Sequence, residues 1–192
     1  MRYIIAALIF VGLLALAIVL IITSFSSKTN KVKPISLSAQ YKTGLEVRYV
    51  NSGPIINNQV HQSIAITINN KNINLTIYQG YDGHVLTTNN YPNTSNSYRN
   101  LLASLGYYGY IVSKPSNFKS VTGLCPLGNR FNYQIFNSPN GLNQNLFSAT
   151  CGEATLAGNI GGIQQVMQNQ IPNYSQAINP PQSMSANFVP AF

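Results

Sequence analysis

The stretch that decides the fold reads IAITINNKNINLTI and covers residues 64–77. Apolar and polar side chains alternate with a period of two on both sides of Asn70-Lys71, which is typical of two β-strands joined by a tight turn. A two-residue turn here pairs Ile68 with Ile73 and places six apolar side chains on one face. Asn tolerates the positive φ angle that such a turn needs. The stretch therefore predicts an antiparallel hairpin with one buried face and one polar face.

Four further strands are predicted around this hairpin. One precedes it at residues 45–50, and another follows the Asp82-Gly83 turn at residues 84–90. A second hairpin joins residues 130–137 to residues 145–149 through a turn at 138–141. The strands around residues 64–77 thus form an antiparallel β-meander, and the second hairpin adds to it.

Two amphipathic helices are predicted beside these strands. In the first, apolar side chains recur at helical spacing, namely Tyr98, Leu101, Leu102 and Leu105. Thr94 or Ser95 can cap its start, and Gly106 can end it. A short C-terminal helix at residues 163–170 stops before Pro172. The element order β-β-β-β-α-β-β-α predicts an α+β fold in which the first helix packs on the apolar face of a mainly antiparallel sheet.

An apolar segment at residues 4–22 precedes the predicted domain. It contains no charged or polar side chain, and at about 1.5 Å per residue it spans roughly 28 Å, close to the thickness of a bilayer's hydrocarbon core. We therefore predict an N-terminal transmembrane anchor within residues 1–25, a linker at 26–40, a domain at 41–178 and a mobile tail at 179–192. A cleaved signal peptide is the alternative, but its apolar region would be shorter and would precede an A-x-A-like site.

The charge pattern gives conflicting indications about orientation. Arg2 alone precedes the apolar segment and three lysines closely follow it, which favours a cytoplasmic domain. The pair of cysteines and the use of asparagine for solubility favour an extracytoplasmic domain, which is our prediction. Much of the net charge of +8 lies in the anchor and its flank. Because no basic stripe with interleaved aromatic residues occurs in the domain, the predicted partner of this charge is the lipid bilayer and not nucleic acid.

Few residues in the sequence are suited to catalysis. The chain has three acids, Glu46, Asp82 and Glu153, and it lacks a nucleophile motif, a P-loop and a dinucleotide fingerprint. Two cysteines and two histidines do not supply the usual zinc site. His61 is assigned a surface or structural role, and the turn explains Asp82 without His84 as a catalytic partner. We predict no catalytic, metal or cofactor site; an enzyme whose acids meet only in the fold is the alternative.

Cys125 and Cys151 bracket the second predicted hairpin. Residues near the open ends of a hairpin can come within bonding distance, so we predict a disulfide between them. Two unrelated buried thiols are the alternative.

Three clustered tyrosines, Tyr107, Tyr108 and Tyr110, follow the first predicted helix. Such residues fill the join between a helix and a sheet, or they form a binding surface. Glu153 is a further candidate for that surface, although it could instead form a salt bridge with Arg130.

Several short motifs resemble uncharacterised, single-pass membrane-anchored envelope proteins of reduced-genome bacteria. These motifs are Gly80-Tyr81-Asp82-Gly83, the helix end at Gly106, Cys125-Pro126-Leu127-Gly128, Thr150-Cys151-Gly152 and Gln170-Ile171-Pro172-Asn173-Tyr174. The resemblance implies an envelope location but no activity, so it assigns no functional residue.

These observations favour a membrane-tethered, extracytoplasmic envelope protein with a binding or assembly role. Its expected partner is another envelope protein or a cell-wall polymer, and no motif specifies an oligomeric state. An inhibitor-like module that blocks an extracellular hydrolase is the alternative. A broad apolar or tyrosine-lined surface would favour assembly, and a protruding disulfide-braced loop would favour the inhibitor. A deep pocket that holds Glu153 or His61 beside another titratable group would favour an enzyme.

Overall fold

The computed structural model describes residues 36–136 and 143–179. Six strands form one antiparallel sheet in the order β4-β3-β2-β1-β5-β6. The strands are β1 (Glu46–Ser52), β2 (Gln62–Ile68), β3 (Asn72–Gln79), β4 (His84–Pro92), β5 (Arg130–Phe136) and β6 (Gln144–Ala149). The helices are α1 (Ser95–Tyr107), α2 (Ile160–Gln168) and α3 (Tyr174–Ile178). The predicted α+β class with an antiparallel sheet is confirmed, and α3 is an element that the sequence did not predict.

The hairpin predicted for residues 64–77 has the expected register. The paired residues are Ile68 with Ile73, Ile66 with Leu75, and Ile64 with Ile77. Ile66 and Leu75 have no exposed surface, so the alternation does mark a buried face.

The turn of this hairpin differs from the prediction in its backbone conformation. Neither Asn70 nor Lys71 has a positive φ angle. Instead, the side-chain oxygen of Asn69 accepts hydrogen bonds from the backbone N–H groups of Lys71 and Asn72, both at 2.9 Å. These bonds stabilise a turn that does not require the left-handed conformation.

Helix α1 covers the apolar face of the sheet. Its buried residues are the four predicted from the spacing, Tyr98, Leu101, Leu102 and Leu105. The hydroxyl of Thr94 caps the helix by accepting a hydrogen bond from the Ser97 N–H at 3.1 Å. The helix ends at Tyr107 and not at Gly106, because the left-handed residue that redirects the chain is Gly109, with a φ of 78°.

Four buried tyrosines, Tyr49, Tyr98, Tyr110 and Tyr133, fill much of the core between helices and sheet. The Tyr98 hydroxyl donates to the Leu45 carbonyl at 2.6 Å, and the Tyr133 hydroxyl lies 2.9 Å from that of Ser148. Burial raises the pKa of each of these four phenols above its ordinary value of 10.0. They therefore stay neutral at physiological pH, and their hydroxyl groups satisfy polar atoms inside the core.

The glycine-rich segment before α2 has a packing role. The Asn159 side chain caps α2 by accepting a hydrogen bond from the Gly162 N–H at 3.0 Å. The ring of Tyr108 packs directly on Gly162, where an added Cβ would lie 2.5 Å from the ring. The helix therefore begins at Ile160, three residues before the predicted start at Ile163.

The described domain includes the end of the segment predicted as a linker. Leu37–Gln40 form a short 3-10 helix, and Leu37 is buried in the main core. The predicted anchor at residues 4–22, the turn at 138–141 and nearly all of the predicted tail lie outside the described residues. Within residues 36–136 and 143–179, no helix has both the length and the apolar character needed to cross a membrane.

Candidate functional site

The loop between α1 and β5 covers part of the sheet face opposite the helices. Leu124 and Cys125 pack there against Phe147 and Ala149, which form a second, smaller apolar cluster. The predicted disulfide between Cys125 and Cys151 is confirmed, with the two Cα atoms 5.7 Å apart. The bond and the cluster together fix this loop to the end of β6.

A cleft of about 460 Å³ lies beside this loop on the polar face of the sheet. It is lined by residues from four strands, the loop before β2, the turn between β3 and β4, and the loop before β5. The lining residues are Arg48, Val50, Ser52, His61, Ser63, Tyr78, Gly80, Tyr81, Gly83, Val121, Thr122 and Arg130. We refer to it below as the polar-face cleft.

Strand alternation directs side chains into the polar-face cleft. Val47 and Tyr49 in β1 are buried on the helix side, so Arg48, Val50 and Ser52 point to the opposite side. Ser52 lies opposite Ser63 of β2 on one side and opposite Arg130 of β5 on the other. The floor of the cleft therefore depends on β1 lying between β2 and β5.

Both arginines of the cleft have few hydrogen-bond partners. Arg130 is only 8% exposed, and its Nη2 donates to the Gly53 carbonyl at 2.9 Å. Arg48 is half-buried, and its Nη2 lies 3.5 Å from the Tyr78 hydroxyl, a distance too long for a strong hydrogen bond. The Nε atoms of both side chains are buried and have no hydrogen-bond partner among the described residues.

One wall of the cleft is held rigidly by His61 and Tyr81. The His61 ring is 2% exposed, and its Nδ1 donates to the Pro54 carbonyl at 3.0 Å. It stacks on the Tyr81 ring with the two centroids 4.2 Å apart. The Tyr81 hydroxyl in turn donates to the Ile56 carbonyl at 2.8 Å. His61 thus has a structural role, and it keeps a half-exposed aromatic ring at the cleft.

The close approach of the Asp82 and Asn58 side chains to Gly80 explains why a glycine precedes Tyr81. Gly80 has a φ of 75°, and a Cβ there would lie 2.5 Å from the Asp82 carboxylate and 2.8 Å from the Asn58 side-chain oxygen. The Tyr81 N–H donates to the same Asn58 oxygen at 2.7 Å. The turn that carries Tyr81 is therefore fixed to the loop before β2.

The nearest approach to a catalytic pair in the described cleft is His61 with Ser63. The His61 Nε2 lies 3.4 Å from the Ser63 Oγ. The Ser63 hydroxyl, however, donates to the Ser52 Oγ at 3.3 Å. Because the His61 Nδ1 donates to the Pro54 carbonyl, the Nε2 of the neutral ring can only accept. It therefore competes with the Ser52 Oγ for the one proton of the Ser63 hydroxyl. A serine nucleophile gives its proton to the histidine, and at 3.4 Å this hydrogen bond is long.

The three acids of the chain lie apart from one another. Glu46 accepts a hydrogen bond from the Asn69 side chain at 3.4 Å, and Asp82 lines a separate depression with His84. Glu153 is exposed in another depression, together with Lys114. Within the part of the chain that the structure describes, no group of three His, Cys, Asp or Glu side chains could hold a metal ion.

The residues proposed from sequence as a binding surface do not lie on one surface. Tyr107 is 84% exposed, and Tyr108 is half-buried where α1 meets α2. Tyr110 is fully buried, and its hydroxyl donates to the Arg48 carbonyl at 2.8 Å, so it cannot contact a partner. Glu153 lies in its own depression. The alternative prediction, a salt bridge between Glu153 and Arg130, is not observed between these described residues. Arg130 instead donates a hydrogen bond to the Gly53 carbonyl.

Sequence reasoning did not identify the polar-face cleft. One signal was present: Arg48 alternates with buried residues in β1, which places it on the opposite face. The position of Arg130 beside it depends on the pairing of β1 with β5, which are about eighty residues apart in the chain. No local pattern indicates that pairing.

Comparisons with known proteins give no further assignment. No protein-family model, no curated protein and no solved structure matches this chain.

Proposed function

We propose that this protein is a membrane-tethered, extracytoplasmic envelope protein that acts by binding a small ligand in the polar-face cleft. The observation that carries the proposal is the cleft itself. Its volume of about 460 Å³ lies within the range of roughly 300–1,000 Å³ for small-molecule sites. A fragment of a cell-wall polymer is a ligand of suitable size and location.

The apolar segment at residues 4–22 and the disulfide support the location. The segment is long enough to serve as an uncleaved anchor. Disulfides persist mainly in oxidising compartments, so the bond between Cys125 and Cys151 favours a domain on the outer side.

The geometry of the cleft favours binding over catalysis. His61 is buried, and the single proton of the Ser63 hydroxyl has two competing acceptors, the His61 Nε2 at 3.4 Å and the Ser52 Oγ at 3.3 Å. The cleft has no carboxylate among its described lining residues that could act as a general acid or base. The fixed position of Tyr81 is consistent with a preorganised binding wall, since rigid walls lower the entropic cost of holding a ligand.

A cleft-blocking substitution tests this proposal regardless of ligand charge. Ser63 lies on the cleft floor and is half-buried, so Ser63→Phe should fill the cleft. We expect some members of a collection of charged and neutral small molecules to raise the melting temperature of the full-length protein in nanodiscs. Ser63→Phe should abolish these shifts, while Ser97→Phe on exposed helix α1 should retain them. If no compound stabilises the natural protein, or if Ser63→Phe responds equally, the proposal is wrong.

The inhibitor-like alternative is favoured by one specific observation. Leu127 is 92% exposed, and it follows Cys125 and Pro126 in the loop fixed by the disulfide. The Pro126 carbonyl also accepts a hydrogen bond from the Ile55 N–H at 2.7 Å. An apolar side chain is thus displayed on a braced loop, as a loop that inserts into a hydrolase pocket requires.

Inhibition assays with Leu127→Glu test this second function. Representative serine, cysteine and metallo-endopeptidases would be assayed with and without the full-length protein. Inhibition that Leu127→Glu removes, but that the matched exposed variant Leu86→Glu keeps, would establish the inhibitor. Unchanged hydrolase activity in every class would leave the cleft as the functional site.

A further inference from the structure

The polar-face cleft contains two positive charges that have no counter-ion within residues 36–136 and 143–179. Among the described residues, neither Arg48 nor Arg130 forms an ion pair with a carboxylate, and both Nε atoms are unpaired. Arg130 is 92% buried although its charge has no such ion-pair partner. Buried guanidinium groups are normally paired, because an unpaired buried charge is unfavourable. The arrangement therefore calls for an anionic partner that is not part of the domain.

The two arginines are placed so that one ligand can reach both. Arg48 lies four residues before Ser52 in β1, and Arg130 lies directly opposite Ser52 in β5. At about 3.3 Å per residue, their backbones are separated by roughly 13 Å along the strand. The Arg48 Nη2 reaches towards the Tyr78 hydroxyl. Tyr78 lies opposite Ser63, which lies opposite Ser52, so Tyr78 is in the same cross-strand row as Arg130 but on the far side of the cleft. The Arg48 guanidinium is therefore displaced along the strand towards that row, and a ligand that spans the cleft can contact both arginines.

The chain's acids do not neutralise this charge. Glu46, Asp82 and Glu153 are absent from the cleft lining. Asp82 is close in sequence to Tyr81, but its side chain lines the neighbouring depression. In a protein with three acids, a cleft with two unpaired arginines has a strongly positive local field, which attracts anions.

The other lining groups complement an anion attached to a larger body. Ser52, Ser63 and Tyr78 contribute hydroxyl groups to the cleft, and the half-exposed Tyr81 ring offers an aromatic face. The volume of about 460 Å³ greatly exceeds the roughly 30 Å³ that one water molecule occupies. A single inorganic ion would therefore leave most of the cleft unfilled.

We propose that the polar-face cleft binds a small organic ligand through its phosphate or carboxylate group, with Arg48 and Arg130 as the anion-binding residues. Guanidinium groups match the geometry of both anions and can bind them through two parallel hydrogen bonds. The aromatic face of Tyr81 would contact the uncharged body of the ligand. This inference rests on the proposed function, and it adds the chemical class of the ligand.

Titration calorimetry on the full-length protein in phosphatidylcholine nanodiscs tests the inference. The probes are inorganic phosphate, malonate and neutral N-acetylglucosamine, at constant ionic strength. We expect phosphate or malonate to bind, and Arg48→Met to weaken that binding by at least about tenfold, the effect of losing one charge-assisted hydrogen bond. Arg130→Lys should also weaken it, because lysine lacks the planar fork. Arg99→Met, which removes an exposed arginine from α1, should leave the affinity unchanged.

A second lipid composition distinguishes the source of the anion. If a lipid headgroup occupies the cleft, nanodiscs that contain phosphatidic acid should weaken soluble phosphate binding by competition. If the ligand is a soluble molecule, phosphatidic acid should have no effect. Either result supports an anion site and identifies its occupant.

The negative outcomes distinguish a failure of this inference from a failure of the proposed function. Anion binding that neither Arg48→Met nor Arg130→Lys weakens would overturn the inference. Binding of N-acetylglucosamine alone, with loss in Ser63→Phe, would also overturn it but would keep the proposed function. Binding of no probe, together with no response in the melting-temperature screen, would overturn both.

Discussion

Removal of the disulfide should destabilise the domain by an amount that its loop length sets. The bonded cysteines, Cys125 and Cys151, are 26 residues apart. In the chain-entropy model, a cross-link that closes a loop of this length stabilises the folded state by about 3.5 kcal/mol. With a urea dependence of roughly 1–3 kcal/mol per molar, the unfolding midpoint should fall by roughly 1–3.5 M on reduction.

The assay is urea unfolding of the full-length protein in nanodiscs, followed by near-ultraviolet circular dichroism. This signal reports the packing of tyrosines, and the chain has 12 tyrosines and no tryptophan. The double variant Cys125→Ala/Cys151→Ala is the control, and reductant should not change its midpoint. A natural protein whose midpoint is the same with and without reductant would refute the reasoning. Because Val121 and Thr122 belong to the braced loop, reduction should also weaken ligand binding.

Three further predictions test the fold. Ile66→Ala, at a residue with no exposed surface, should lower the free energy of unfolding by about 2–5 kcal/mol, whereas Thr67→Ala on the polar face should change it by less than about 1 kcal/mol; equal effects in urea unfolding would contradict the assigned faces. Gly162→Ala should lower the melting temperature, because the new Cβ meets the Tyr108 ring at an overpacking cost of about 1–3 kcal/mol, more than the roughly 1 kcal/mol gained in helix propensity. In a Tyr108→Ala background the same change should be neutral or stabilising, and a loss of equal size there would count against this packing. The four buried tyrosines have pKa values raised above 10.0, so the stability that they contribute is complete below pH 10 and is lost as the pH rises above it. Their tyrosinate absorbance should appear together with the loss of near-ultraviolet dichroism, and ionisation within a folded core would disprove their burial.

The parts of the fold that the sequence predicted are those with local signals. The period-two pattern around Asn70 determined the faces of β2 and β3, and the spacing from Tyr98 to Leu105 determined the buried face of α1. Both patterns arise because neighbours in sequence share a face. The predicted start of α2 was too late, because the two glycines in its first turn interrupt the helical pattern of apolar side chains. Asn159 is nevertheless a normal N-cap residue.

The cleft could not be predicted in the same way, because it depends on contacts between distant segments. Arg48 and Arg130 share a face only because β1 pairs with β5. The wall that carries Tyr81 depends on a ring stack with His61, twenty residues earlier. Neither contact follows from periodicity or spacing. The cysteine pair was the exception among distant contacts, because only one intramolecular pairing was available.

Mapping of the ligand contact by nuclear magnetic resonance tests the central claim most directly. Backbone amide shifts of the full-length protein in nanodiscs would be recorded during a titration with malonate or phosphate. The account predicts that the largest shifts occur at Ser52, Ser63 and Tyr81, and that Arg48→Met removes them. Shifts centred on Leu127 instead, or no shift at the cleft with millimolar ligand, would contradict the assignment of the polar-face cleft as an anion-binding site.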